Sequence, residues 1–240
     1  SFAYYKKAIS LLKDIEGAEY LNNVIFNNIG MVHYAKGDYQ KALESHLKAL
    51  RIGQKLGMSE PELAIDLNNI ARTYLALGGY RKAMDFFKLA LKGFKTGDQK
   101  GNIATCLGNI GEVYRLIDQY QSAISYFDQA VSILNELGLK RLVAINFNNI
   151  GNVYNSWGRF KKAILYYEKA VELNRNMGLK DLEAVGLMNI GTVYLEWGHY
   201  EKAVSYIEQS RDLNLELGSR GQLTTTYSNL GLVYTHQKKY

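Results

Sequence analysis

Apolar and small residues recur at intervals of three and four along nearly the whole chain. Phe147, Ile150, Gly151 and Tyr154 follow this spacing, and so do Ala163, Tyr166, Tyr167 and Ala170. On an α-helix such residues share one face, so each group predicts a helix with one side turned to a core. Between the two groups Ser156-Trp157-Gly158-Arg159 breaks the pattern, which predicts a tight turn joining two antiparallel helices. The same reading along the chain predicts helices over 3–16, 20–36, 39–56, 62–77, 80–96, 102–117, 120–137, 141–157, 160–177, 181–197, 200–217 and 221–237. Gly57, Gly97, Gly138, Gly178 and Gly218 stand where helices should stop, because glycine accepts the left-handed conformation that ends a helix. The fold class expected is all-α.

The pattern repeats. Asn28-Ile29-Gly30, Asn69-Ile70-Ala71, Asn109-Ile110-Gly111, Asn149-Ile150-Gly151, Asn189-Ile190-Gly191 and Asn229-Leu230-Gly231 follow one another at steps of 40 residues. The first step is one residue longer, with the extra residue near Pro61. Each block is followed by a ring (His33, Tyr74, Tyr114, Tyr154, Tyr194, Tyr234), then a second ring (Tyr39, Tyr80, Tyr120, Phe160, Tyr200, Tyr240). Small residues come next, at Ala42, Ala83, Ala123, Ala163 and Ala203. A helix pair of this size cannot bury its apolar face alone. Stacked pairs bury it against their neighbours, which predicts a solenoid.

Gly151, Tyr154, Gly158, Phe160, Ala163 and Ala170 occupy the small and aromatic positions of the tetratricopeptide motif, and the match recurs through the chain. The chain therefore resembles the tetratricopeptide repeat family. Its longer unit is similar to that of kinesin light chains, spindle-orientation adaptors and bacterial signalling arrays. The resemblance implies a right-handed α-solenoid, a superhelix of antiparallel helix pairs, in which the first helix of each pair lines a concave groove. The expected organisation is one array over 1–240: a flanking helix over 1–19, repeats over 20–60, 61–100, 101–140, 141–180 and 181–220, and a half repeat over 221–240. The chain reads as a piece of a larger protein.

The candidate chemistry lies in one column of that repeat. Asn28, Asn69, Asn109, Asn149, Asn189 and Asn229 hold equivalent places on the six first helices. Asparagine is a mediocre helix former, costing about 0.5 kcal/mol against alanine, and packing does not call for it. Its carboxamide carries one acceptor and two donors, a set that pairs with both groups of a peptide backbone. By the resemblance, these asparagines form a ladder along the groove floor, where long-repeat relatives hold the main chain of an extended ligand. Arg72, Glu112, Arg115, Asn148 and Asn152 would then select side chains. The other use open to the asparagines is to bond between adjacent repeats. A buried amide needs a partner, and a groove ligand supplies one. The family's clamp for acidic chaperone tails needs a lysine before this asparagine. Here that place holds Asn27, Asn68, Gly108, Asn148, Met188 or Ser228, so no such clamp is expected.

Composition narrows the picture further. The chain has 240 residues, 47% of them apolar and 22% charged, which suits a folded protein. The net charge of +6 is spread over pairs such as Lys6-Lys7, Arg81-Lys82 and Lys161-Lys162 rather than gathered in a patch, so no nucleic-acid partner is expected. No run of apolar residues is long enough to span a bilayer. Cys106 is the sole cysteine, which excludes an internal disulfide and favours a reducing, cytoplasmic setting. His33, His46, His199 and His236 lack metal-ligand spacing, and His33 reads as a core ring in a tyrosine column. No metal, no cofactor and no catalytic residues are expected. The partner expected is a protein or peptide in the groove. The rival readings are a ligand-sensing segment of a bacterial signalling regulator and self-association through exposed solenoid ends.

Overall fold

The computed structural model describes residues 19–236. Eleven helices fill them: α1 (Glu19–Ala35), α2 (Tyr39–Lys55), α3 (Glu60–Ala76), α4 (Tyr80–Thr96), α5 (Lys100–Leu116), α6 (Tyr120–Glu136), α7 (Lys140–Ser156), α8 (Phe160–Asn176), α9 (Lys180–Glu196), α10 (Tyr200–Glu216) and α11 (Arg220–His236). Each begins and ends within two residues of its expected place. The helix expected over 3–16 and the ring at Tyr240 lie outside the described residues. The helices fall into two compact units divided after Ile117, with α1–α5 in the first and α6–α11 in the second. Within each unit consecutive helices pack on one another, as turns of three or four residues require of antiparallel neighbours.

The repeat columns explain the packing. Ala42, Ala83, Ala123, Ala163 and Ala203 are fully buried, and so are Ile70, Ile110, Ile150 and Ile190 in the first helices of their pairs. Alanine at the closest approach lets two helices meet, while isoleucine fills the space beside it. Gly151 has the same role. A Cβ there would lie 2.6 Å from the Tyr167 ring, so the ring takes the room that a side chain would need.

Two expectations need correction. Gly97 does not adopt the left-handed conformation; the next residue, Asp98, does, at φ 47°. The left-handed residue stands two places before the following helix, as Gly138, Gly178 and Gly218 do, and in this turn that place holds Asp98. His33 is not a core ring. It keeps 16% of its side chain exposed, with Nδ1 3.3 Å from the Asp38 carboxylate. The buried histidine is His46, which takes the place held by Phe87, Phe127, Tyr167 and Ile207 in later pairs.

The extra residue near Pro61 has a local purpose. It lets Ser59 cap α3: the Ser59 N–H donates to the Glu62 carboxylate at 2.7 Å, and Pro61 sits in the first turn, where its missing N–H costs nothing.

Candidate functional site

The asparagine column lies on the first helices, half-buried except at Asn69, which is buried. In the first unit Asn69 donates from Nδ2 to Asn27 Oδ1 at 3.2 Å, and Asn109 donates to Asn68 Oδ1 at 3.3 Å. In the second unit Asn189 donates to Asn148 Oδ1 at 2.9 Å, and the Asn229 amide meets Met188 Sδ at 3.2 Å. These four follow one rule: each reaches the residue just before its counterpart one repeat earlier. One N–H serves the stack, which leaves a second N–H and the carbonyl oxygen of Asn109 and Asn189 for other use. Asn28 and Asn149 make no such side-chain bond among the described residues.

The expected selecting residues are placed differently from one another. Glu112 and Arg115 pair along α5, with Oε1 to Nη2 at 2.6 Å and Oε2 to Nε at 2.8 Å. Asn148 is the acceptor for Asn189, and Asn152 accepts the Tyr167 hydroxyl at 2.6 Å. The Arg72 guanidinium stands 5.1 Å over the Tyr34 ring and lines a hollow of about 200 Å3 with Met31, Ala35, His46 and Asn69.

Sequence reasoning missed a polar cluster between α1, α2 and α3. Asn23 donates from Nδ2 to the Asp66 carboxylate at 2.7 Å and to the Ala49 carbonyl at 2.8 Å. Asn27 donates to the other Asp66 oxygen. Asn27 Oδ1 in turn accepts from Asn69 and lies 2.8 Å from His46 Nδ1, a pairing that puts the imidazole proton on Nδ1. Burial, helped by the Arg72 charge, holds the His46 pKa down to about 4, so the ring is neutral at pH 7. Burial also raises the Asp66 pKa, against the two amide bonds that favour its charged form. The cluster lines one wall of a cleft of about 350 Å3 between α1 and α3.

The repeat alignment held a signal for this cluster. Asp66 sits in the column of Cys106, Asn146, Gly186 and Thr226, where no other residue is charged. Asn23 replaces the alanine of Ala64, Ala104, Ala144 and Ala184, and His46 replaces the apolar or phenolic residue of later pairs. Three departures from the chain's own consensus meet at one place.

Ring stacks recur in both units: Tyr74 stacks on Phe86 in the first, with centroids 5.6 Å apart, and the second adds a tryptophan to each stack. Tyr154 stacks on Trp157 and Tyr166, with centroids 6.3 and 5.4 Å away, and Tyr194 repeats this with Trp197 and Tyr206 at 6.3 and 5.5 Å. Lys162 and Lys202 place their ammonium groups over those tyrosines. Cys106, in the first unit, is buried and donates its thiol to the Phe87 carbonyl. Burial pushes its pKa up to about 12, so it carries no thiolate. Among the described residues no group of three His, Cys, Asp or Glu stands together to hold a metal, and no helix is long and apolar enough to cross a membrane.

The profile of the tetratricopeptide repeat family matches residues 21–96, 102–176 and 142–216, most of the chain. The chain belongs to the tetratricopeptide repeat family. It is similar to the photosystem I assembly protein Ycf3 of Synechococcus elongatus, with 34% identity over 93 residues, covering 32% of this chain and 50% of Ycf3. The chain thus spans about half the length of the curated relatives it matches. Among solved structures it resembles BtubC (BKLC) from P. vanneervenii, with a TM-score of 0.74 and 21% identity, over 90% of this chain and 88% of that one. It also resembles a Rap protein complexed with competence and sporulation factor, with a TM-score of 0.78 and 17% identity, over 96% of this chain and 67% of that one. At these identities the likeness establishes the fold, an all-α solenoid of tetratricopeptide repeats.

Proposed function

We propose that this chain is a protein- or peptide-binding scaffold, and that the faces of its first helices carry the ligand, with the asparagine column holding the ligand's main chain. The observation that carries the reading is a pairing found in both units. One turn before four of the six asparagines stands an exposed apolar residue: Val24 before Asn28, Ile65 before Asn69, Ile145 before Asn149 and Val185 before Asn189, with Thr105 and Thr225 at the other two places. Ile65 is 49% exposed, and Ile145 and Val185 are each 38% exposed. An exposed apolar row beside amides that keep donors and acceptors to spare offers side-chain contact and main-chain hydrogen bonds together. Those are the two needs of an extended segment.

The Rap protein of similar fold, complexed with competence and sporulation factor, supports a binding role for such a scaffold. The test is site-specific photo-crosslinking with a peptide selected from a random display library. A crosslinker at Ile145 should capture the peptide. One at Leu165, exposed on the second helix α8, should not. Capture at Leu165 and not at Ile145 would move the ligand to another face and end this reading.

A further inference from the structure

The cleft between α1 and α3 has an acidic, amide-rich lining. Its lining includes two carboxylates, Asp66 and Glu62, and five side-chain amides, from Asn23, Asn27, Asn28, Asn69 and Gln99. Among the described residues no lysine, arginine or histidine lines the cleft. This holds in a chain whose net charge is +6. Glu62 is committed to capping α3 through Ser59. Asp66 is 1% exposed, and among the described residues its two oxygens accept from neutral amides alone. A buried carboxylate is normally paired with a cation, because its own desolvation is costly and amide bonds offset only part of that cost. The solenoid does not need a charge here: the same column holds Cys106, Asn146, Gly186 and Thr226 in the later pairs.

The amides around Asp66 also have a definite use. Asn23 and Asn27 fix the carboxylate in place with both oxygens engaged, and Asn27 is itself held by His46 and Asn69. A carboxylate held this way loses little freedom when a cation arrives, which is how preorganised sites gain affinity. The volume of about 350 Å3 exceeds what an arginine or lysine head group needs, and Val24, Met31 and Ile65 line the cleft with apolar surface for the methylene stem.

We propose that this cleft is a cation site, which takes the guanidinium or ammonium of a basic residue on the bound segment with Asp66 as the counter-ion. The inference rests on the groove reading for the peptide that would carry that residue, and it adds to that reading a preference for a positive side chain at one place.

The test uses N-acetyl-arginine amide as the probe and N-acetyl-citrulline amide as its neutral copy, with the side-chain amide signals of Asn23 and Asn27 followed by NMR. Arginine amide should shift both signals saturably, and citrulline amide should not. Asp66→Asn should weaken the arginine response at least about tenfold. Val24→Lys leaves Asp66 in place but plants an ammonium at the mouth of the cleft. Val24 is 38% exposed, so this variant should fold even where Asp66→Asn does not, and it should block the probe equally. Equal shifts with both probes, no shift with either, or an arginine response that survives both variants would overturn the cation site. A display library separates the two claims. Peptides enriched without any excess of arginine or lysine would leave the groove reading standing and remove the cation site. No enriched peptide at all, together with an intact arginine response, would do the reverse.

Discussion

His46 in the first unit and Tyr167 in the second hold the same place in their repeats. Each ring packs where a glycine leaves room: an added Cβ would lie 2.5 Å from the His46 ring at Gly30 and 2.6 Å from the Tyr167 ring at Gly151. Each also sends a polar atom to an asparagine on the first helix, His46 Nδ1 to Asn27 at 2.8 Å and the Tyr167 hydroxyl to Asn152 at 2.6 Å. The difference lies in what stands behind that asparagine. Asn27 leads on to a buried carboxylate, Asp66. In the second unit the column of Asp66 holds Asn146, Gly186 and Thr226, none of them charged. One backbone plan therefore supports a network with a buried carboxylate and one without. The departures that build the polar network are Asn23 and His46 in the first pair and Asp66 in the next, at columns held by Ala, by Phe, Tyr or Ile, and by uncharged residues elsewhere.

The largest expected effect falls on the ring stack. Tyr154 is 8% exposed and touches Trp157 and Tyr166, so Tyr154→Ala should destabilise the second unit by about 3–5 kcal/mol. Chemical denaturation followed by circular dichroism measures this. Hydrogen exchange should show the loss within α6–α11, with the His46 network still protected.

The polar network should announce itself through pH. The His46 pKa is held below its ordinary value of 6.5, to about 4, in the folded chain. Between those values the unfolded chain binds a proton that the folded chain refuses, so stability falls as pH drops from 6.5 to 4. A shift of this size corresponds to about 3 kcal/mol. Asp66, with its pKa raised, works in the opposite direction. It takes up a proton more readily when folded, which offsets part of the loss once pH falls toward its own titration. His46→Phe, the residue of Phe87 and Phe127 in that column, should flatten the slope between pH 6.5 and 4. Denaturation midpoints over that range check it. A slope unchanged in the variant would mean that another group carries it.

The asparagine column gives a finer contrast. Asn189→Ala removes the bond to Asn148 and should cost about 1 kcal/mol, whereas Asn149→Ala, which removes no such bond, should cost close to nothing. Equal losses at the two sites would remove the distinction drawn between stack-bound and spare amides. The smallest effect is a gain: Asp98→Gly should relieve a left-handed φ of 47° and add up to about 1 kcal/mol, read as a raised melting temperature.

The helices were legible in the sequence because the same apolar spacing returns pair after pair, so an error in one unit is corrected by the others. Alignment on glycine alone misplaced one stop, since Asp98 rather than Gly97 takes the left-handed turn. The asparagine column was legible as a column, and so was its half-buried setting. That one N–H of an asparagine serves the stack was not, because the partner lies 41 or 42 residues away, one place out of register. The His46–Asp66 network was hidden for a related reason. Helical period puts residues on faces but does not say that Asn23, His46 and Asp66, on three helices, meet. Only their shared departure from the repeat's own columns pointed there.

The central claim is that the faces of the first helices hold a ligand's main chain through the asparagines. The most direct measurement is selection from a random peptide display library by this chain and by an Asn109→Ala/Asn149→Ala variant, with thermal unfolding of both. The account predicts a motif that the chain enriches and the variant loses, with a melting temperature lowered by no more than the loss of the Asn109–Asn68 bond, about 1 kcal/mol, implies. Enrichment that the variant keeps, or a collapse of its stability in place of its binding, would contradict it.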